Sequence, residues 1–197
     1  MTHPKILLRQ ASATIFAALL PCLGGHAQER CQAFNLETLP KREVRAVWLT
    51  TLSNLDWPKG YATTQEGIER QKRQLTEILD RYAEANINTV LFQARVRATT
   101  TYPSALEPWD RCLTGQEGRA PGYDPLRFAI EECHKRGMEL HAWLATIPCG
   151  PWTSLGCRRL RAKGLRLRKL DGAGYLDPSD ERVAPYLASV CAELTEK

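Results

Sequence analysis

Beyond its first two dozen residues, this 197-residue chain has no apolar run approaching 18 residues, so no membrane-spanning helix is expected in its body. It has no Cys-x-x-Cys and no clustered Cys and His, which excludes the common structural zinc sites. No metal and no other cofactor is expected. Low-complexity tracts and linkers are missing as well, so a single domain is expected. Charge of one sign is scarce: a formal net charge of +5 is too mild to imply a nucleic-acid partner.

Residues 1–27 are the one strongly biased segment. Lys5 and Arg9 precede a mostly apolar stretch from Ala11 to Leu23. Gly25-His26-Ala27 then puts small residues at the two positions a signal peptidase reads. A basic start, an apolar run too short to span a bilayer and a small-residue exit describe a secretory signal peptide. An uncleaved anchor and a lipoprotein linked through Cys22 are the alternatives, although Pro21 suits lipidation poorly. The expectation is export, to the periplasm or beyond, with no membrane span after cleavage. Loss of Lys5 and Arg9 lowers the charge from +5 to +3 and leaves 170 residues, enough for one core.

Six of the seven cysteines remain: Cys31, Cys112, Cys133, Cys149, Cys157 and Cys191. Export permits disulfides, and Cys149 with Cys157, close together in a loop, is the best-placed pair. Cys133 and Cys191 fall on apolar helix faces and read as buried free thiols.

Three short apolar runs, Val44 to Leu49, Thr89 to Gln93 and Leu140 to Ala145, predict strands. Their near-continuous apolarity suits strands buried on both faces of a parallel sheet. Helices are predicted between them. Thr63-Thr64-Gln65-Glu66 has the form of a capping box, and Leu75, Ile78, Leu79 and Tyr82 follow on one face before a stop at Asn86. Asp124-Pro125 opens a second helix with Leu126, Ala129, Ile130 and Cys133 inward, closed by Gly137. A third starts near Ser179 or Asp180 and buries Val183, Leu187, Val190 and Leu194.

Strands alternating with helices imply right-handed βαβ units. Three parallel strands alone leave two long open edges, and a (β/α) barrel uses about 250 residues. The expected fold class is therefore α/β: a parallel-stranded (β/α) TIM barrel with only its first three βα units present. Those units occupy residues 41–197, behind a lead-in over 28–40, and stop before a fourth strand.

In such a barrel the working residues lie at the C-terminal strand ends. Those ends carry Trp48 and Asp56, then Gln93, Arg95, Arg97, Tyr102 and Trp109, then His141, Trp143 and Asp177. Aromatic rings beside forked polar groups suit a sugar, whose C–H face stacks on a ring while its hydroxyls are hydrogen-bonded. Other readings stand beside this one. Trp48 and Trp143 fit a core as well as a platform, His141 fits a satisfied interior histidine, and Arg97 fits a loop salt bridge. Gln93 and Arg95 would be costly to bury unpaired, which favours a place at the mouth. Glu107 and Asp110 are further carboxylates there. The run Arg158, Arg159, Arg161, Lys163, Arg166, Arg168 and Lys169 reads as a solvated loop and short helix or as a patch for anionic polymers.

Several segments together resemble the glycosyl-hydrolase-like family ten barrels of bacterial envelopes. They are Arg45-Ala-Val-Trp48, Asn54-Leu-Asp-Trp57, Asn88-Thr-Val-Leu-Phe-Gln93-Ala-Arg95, Tyr102-Pro-Ser-Ala-Leu-Glu-Pro-Trp109, Leu113-Thr-Gly115, Pro121-Gly-Tyr-Asp-Pro125, His134-Lys-Arg-Gly137, His141-Ala-Trp143 and Tyr175-Leu-Asp-Pro178. The resemblance spans roughly residues 41–190. It implies a glycoside hydrolase, a carbohydrate polymer as partner, and peptidoglycan as the first polymer to test. It also implies a pair of catalytic carboxylates on a fourth strand beyond Lys197, so this chain is expected to be an inactive N-terminal piece. Leu144-Ala-Thr-Ile-Pro148 departs from the Asn-Pro-Tyr segment many relatives carry at that point. The alternative is a non-catalytic glycan-binding or remnant envelope protein. A sugar isomerase would want a metal site for which only His141 is placed.

Overall fold

The structure, a computed structural model, describes residues 43–196. The predicted signal segment 1–27, the lead-in 28–40, Cys22 and Cys31 lie outside the described residues.

Strands β1 (Ala46–Leu49), β2 (Thr89–Arg95) and β3 (Glu139–Leu144) form a parallel sheet in the order β1-β2-β3. Trp48 lies opposite Leu91, and Leu91 opposite His141. The crossovers carry α1 (Gln65–Glu84), the short α2 (Arg111–Thr114) and α3 (Pro125–Lys135). Leu49, Val90, Phe92 and Ala94 from the sheet pack against Leu75, Leu79, Leu126, Ala129 and Cys133 from the helices. Burying that apolar area drives the layer together, at about 25 cal/mol per Å². The expected βαβαβ order is therefore present, as an open three-stranded sheet.

The strands are not buried on both faces, as their apolarity suggested. Val47 and Leu49 face the helices, while Trp48 is 57% exposed on the opposite side. Its row of neighbours, Leu91 and His141, lies on that same open face. Among the described residues no second layer covers it.

Local chemistry sets the helix ends. Thr64 caps α1, its hydroxyl accepting from Gly67 N at 3.1 Å. The helix thus starts one residue later than a box from Thr63 to Glu66 requires, and that box does not form. Gly67 fills the third position because a side chain there would collide with the Tyr61 carbonyl. Asn86 adopts φ 58° after α1, as a left-handed stop does. Asp124 caps α3 by accepting from Arg127 N at 3.1 Å, with Pro125 in the first turn and Gly137 at φ 68° beyond the end.

The segment after β3 holds the short helix expected around Arg158 and three strands the sequence did not suggest. Strand β4 (Pro148–Pro151), helix α4 (Leu155–Ala162), β5 (Leu167–Leu170) and β6 (Ala173–Leu176) precede the last helix, α5 (Val183–Thr195). The three strands form an antiparallel sheet in the order β4-β6-β5. This unit has its own core of Ala98, Cys149, Cys157, Leu160, Leu165, Leu176 and Val183. Gly174 to Leu176 is therefore strand and not loop. Helix α5 begins at Val183, three residues past Asp180, whose carboxylate accepts from Arg182 N at 3.2 Å, Arg166 N at 2.7 Å and Arg182 Nε at 2.8 Å. Leu187 and Leu194, expected as buried, are only half-buried.

Cys149 and Cys157 are both buried and both free. The expected disulfide is not formed: the Cys157 thiol points at the Cys149 carbonyl, 3.2 Å away. Cys133 is a buried free thiol as expected, whereas Cys191 is exposed. The basic run is divided between duties. Arg161 stacks over the Trp152 ring at 4.2 Å and Arg168 Nε lies 3.0 Å from Asp177, while Arg158 and Arg159 are exposed on α4.

Candidate functional site

The loops that leave the C-terminal ends of β1, β2 and β3 converge on one cleft of about 600 Å³. The first contributes Leu52 to Asn54 and Tyr61. The second contributes Val96, Arg97, Thr99, Asp110 and Arg111, and the third Cys149 to Pro151 with Thr153 and Ser154.

Backbone strain gathers around this opening. Ser53 and Asn54 sit at φ 54° and 56°, and the Asn54 amide holds the turn by donating to Pro58 O (2.7 Å) and Cys112 O (2.8 Å). Ala98 is buried at φ 57°, and Gly156 of α4 rests against it where any side chain would strike the Ala98 carbonyl. Such non-glycine positions cost about 1–3 kcal/mol each and persist where the surroundings fix them, often at binding sites.

The expected site residues fall into three groups. Trp48, Trp143 and His141 share the open sheet face. Trp48 and Trp143 meet edge-on with centroids 4.7 Å apart, and His141 Nε2 lies 3.3 Å from Glu139. The second group is built into the framework. Gln93 Oε1 accepts from Thr51 N and Leu52 N (both 3.0 Å) and from the Thr50 hydroxyl (2.7 Å). Asp56 accepts from Thr50 N at 2.9 Å. Arg95 is fully buried against Glu107, with its Nη1 on the Ala145 and Thr146 carbonyls. Tyr102 is buried and donates to Glu193 at 3.2 Å, and Trp109 is half-buried against the main core. Asp177 accepts from Ser179 N (3.1 Å) and Ser179 Oγ (2.7 Å). Its Oδ2 has Arg168 as a charge partner without an aligned donor. Only Arg97 lines the cleft, exposed and without an ion pair among the described residues.

Tyr61, Arg111 and Glu117 line the cleft without having been singled out. Arg111 directly follows the Glu107-Pro108-Trp109-Asp110 segment, which was the available signal for it. Glu117 had none, since its role depends on α4: it accepts from Leu155 N (2.9 Å) and Gly156 N (2.8 Å) at the start of that helix.

Electrostatics narrows what this site can do. Burial, then the neighbouring Cys157, pushes the Cys149 thiol up to about 12. Burial, then Asp110, holds Cys112 well above the usual thiol range. Neither is a thiolate near neutral pH, so neither serves as a nucleophile. Asp110 is occupied as well, accepting from Cys112 N (2.7 Å) and the Thr99 hydroxyl (2.5 Å). No group of three or more His, Cys, Asp or Glu among the described residues could hold a metal. The cleft offers guanidinium forks, an exposed aromatic ring and fixed backbone amides. Those groups bind and orient.

These features define an α/β protein with a cleft outside the carboxyl ends of a parallel sheet, where ligand sites usually lie in such folds. Residues 43–151, more than half the chain, match the glycosyl hydrolase-like 10 family, and the chain belongs to it. It is 40% identical over 171 residues to the glycosyl hydrolase DigH of Escherichia coli K12, a match covering 78% of this chain. It is 44% identical over 102 residues to the glycosyl hydrolase YngK of Bacillus subtilis, covering 52% of this chain. The matches span only 39% of DigH and 19% of YngK.

Proposed function

We propose that this chain forms the first three βα units of a (β/α) barrel glycoside hydrolase, with a glycan lying across the C-terminal ends of β1, β2 and β3. The convergence of all three βα loops on one cleft carries this reading, and family membership gives it a substrate class. The open face bearing Trp48, His141 and Trp143 would then be the barrel interior, covered by further strands. Peptidoglycan is the polymer to test first, with dietary glycans next. The predicted signal segment supports export to the periplasm or beyond, as a soluble or lipid-linked protein.

Glycoside hydrolysis uses two carboxylates across the scissile bond. Of the carboxylates the sequence offered, only Asp110 lines the cleft, and Asp56, Glu107, Asp110 and Asp177 are each held by internal donors. That observation favours glycan binding without bond cleavage for these residues alone, the acids coming from the later part of a full barrel. The test is to incubate the 197-residue chain with chito-oligosaccharides, following heat of binding and new reducing ends. Binding without cleavage is expected. Cleavage abolished by Asp110→Asn would place the acids here instead, and failure to bind either a neutral or an acidic oligosaccharide would remove the reading.

A further inference from the structure

We infer that the cleft recognises a carboxylate-bearing sugar unit, with Arg97 and Arg111 as the groups that grip it, an inference that rests on the glycan reading above. Both arginines line the cleft and both are exposed. Neither makes an ion pair or a side-chain hydrogen bond among the described residues, whereas most other arginines near the sheet ends do. Arg95 binds Glu107, Arg168 faces Asp177 and Arg182 holds Asp180. Two guanidiniums that line the same cleft and have no internal acceptor can each take a carboxylate through the fork of N–H donors that arginine presents.

The two acids of the cleft wall do not cancel this arrangement. Glu117 spends one oxygen on Leu155 N and the other on Gly156 N. Asp110 gives one oxygen to Cys112 N and the other to Thr99. Each of these carboxylate oxygens already accepts an internal donor, whereas the Arg97 and Arg111 guanidiniums have no internal acceptor among the described residues.

The arginine stem is also seated. Gly150 lies at φ +80°, and a Cβ there would stand 3.4 Å from Arg97 Cβ and 3.7 Å from its Cδ. The bare backbone of Gly150 is thus a shelf for the Arg97 side chain. At the rim, the half-exposed Tyr61 ring rests on Gly115, where a Cβ would meet the ring at 3.2 Å. A fixed aromatic face beside two forked cations matches a pyranose bearing a carboxylate: the ring takes the C–H face and the forks take the acid. Arg158 and Arg159 are exposed on α4, just beyond the cleft residues Thr153 and Ser154, and add attraction for a chain of such units.

The experiment is calorimetry on the full chain at low salt, with oligogalacturonate and chito-oligosaccharide of equal length as probes. The acidic probe should bind about ten-fold more tightly or better, as expected for charge-assisted hydrogen bonds, and weaken as salt is added. Arg97→Gln and Arg111→Gln should each cost the acidic probe about ten-fold and cost the neutral probe clearly less. Both side chains are exposed, and an unchanged melting curve would verify that each variant folds. Equal affinity for the two probes, or variants that bind the acid as the parent does, would overturn the inference and leave the glycan reading standing. Failure of both probes would overturn both.

Discussion

Arg95 and Glu107 face each other as a fully buried fork, Nε to Oε2 at 2.8 Å and Nη2 to Oε1 at 2.7 Å. The pair joins the end of β2 to the loop that follows it, and Tyr186 of α5 adds a third contact to Glu107 at 2.8 Å. Burial works against the Arg95 cation, yet the adjoining carboxylate more than offsets it and holds the guanidinium pKa above its ordinary value. Replacing one partner strands the other charge. Arg95→Met and Glu107→Leu should each destabilise by about 3–5 kcal/mol, and the double variant by clearly less than the sum. Urea unfolding of the four proteins measures the coupling. Additive losses under about 1 kcal/mol each, as at an exposed pair, would show that the fork is not held as described.

Trp48 of β1 and Trp57 of the loop that follows it differ in what they support. Trp57 is fully buried, tilted against Phe92 at 5.9 Å, and donates to the Gln71 carbonyl at 2.9 Å. Trp57→Ala should cost about 3–5 kcal/mol. Trp48, on the open sheet face, should cost no more than about 1 kcal/mol when changed to Ala. Thermal melts compare them directly, and equal losses would mean that face is covered.

Much of the parallel layer was legible because each signal was local. β2 carries the unbroken apolar run Val90-Leu91-Phe92, Asp124-Pro125 caps and starts a helix by itself, and Asn86 stops one. The antiparallel unit was not read because β4 is Pro-Cys-Gly-Pro and β5 is Leu-Arg-Lys-Leu, neither of which carries a strand's apolar alternation. One clue stood in the text of the chain. Asp171-Gly172 joins β5 to β6 with both residues at positive φ, 47° and 77°, as a two-residue type I′ hairpin loop requires. The site was less legible still. Arg95 and Gln93 look like mouth residues until their partners are known, and Glu107 and the Thr50 to Leu52 turn are distant in sequence. Tyr61 and Arg111 reach the cleft only through loop paths that no periodicity encodes.

Acid should weaken this protein partly through Asp177 and Asp180. Hydrogen bonds from Ser179 hold the Asp177 carboxyl below the usual carboxylate range, and those from Arg182 and then Arg166 N do so for Asp180. Because both are depressed in the folded state, the unfolded chain takes up their protons first as pH falls. Their stabilisation is complete above the ordinary aspartate value of about 4 and is lost progressively below it. Urea midpoints at several pH values should fall in that window, and Asp180→Asn should flatten the fall. A parent and variant with the same acid profile would contradict this.

The thiols provide an independent reading of burial. Burial raises Cys133 to about 11, and burial with Cys157 nearby raises Cys149 to about 12. At pH 8 an alkylating reagent should label Cys191 at once and leave Cys112, Cys133, Cys149 and Cys157 unmodified until denaturant is added. Peptide mass spectrometry reports each site. A Cys149–Cys157 linked peptide that appears only without reductant would contradict the free thiols.

Backbone amide mapping by NMR, with chito-oligosaccharide titrated into the isotope-labelled chain, locates the bound sugar. Shifts are expected at Leu52 to Asn54, Arg97, Arg111 and Gly150 to Ser154, the three segments that line the cleft. Shifts confined to Trp48, Leu91, His141 and Trp143 would move the sugar to the open sheet face and contradict binding in the cleft.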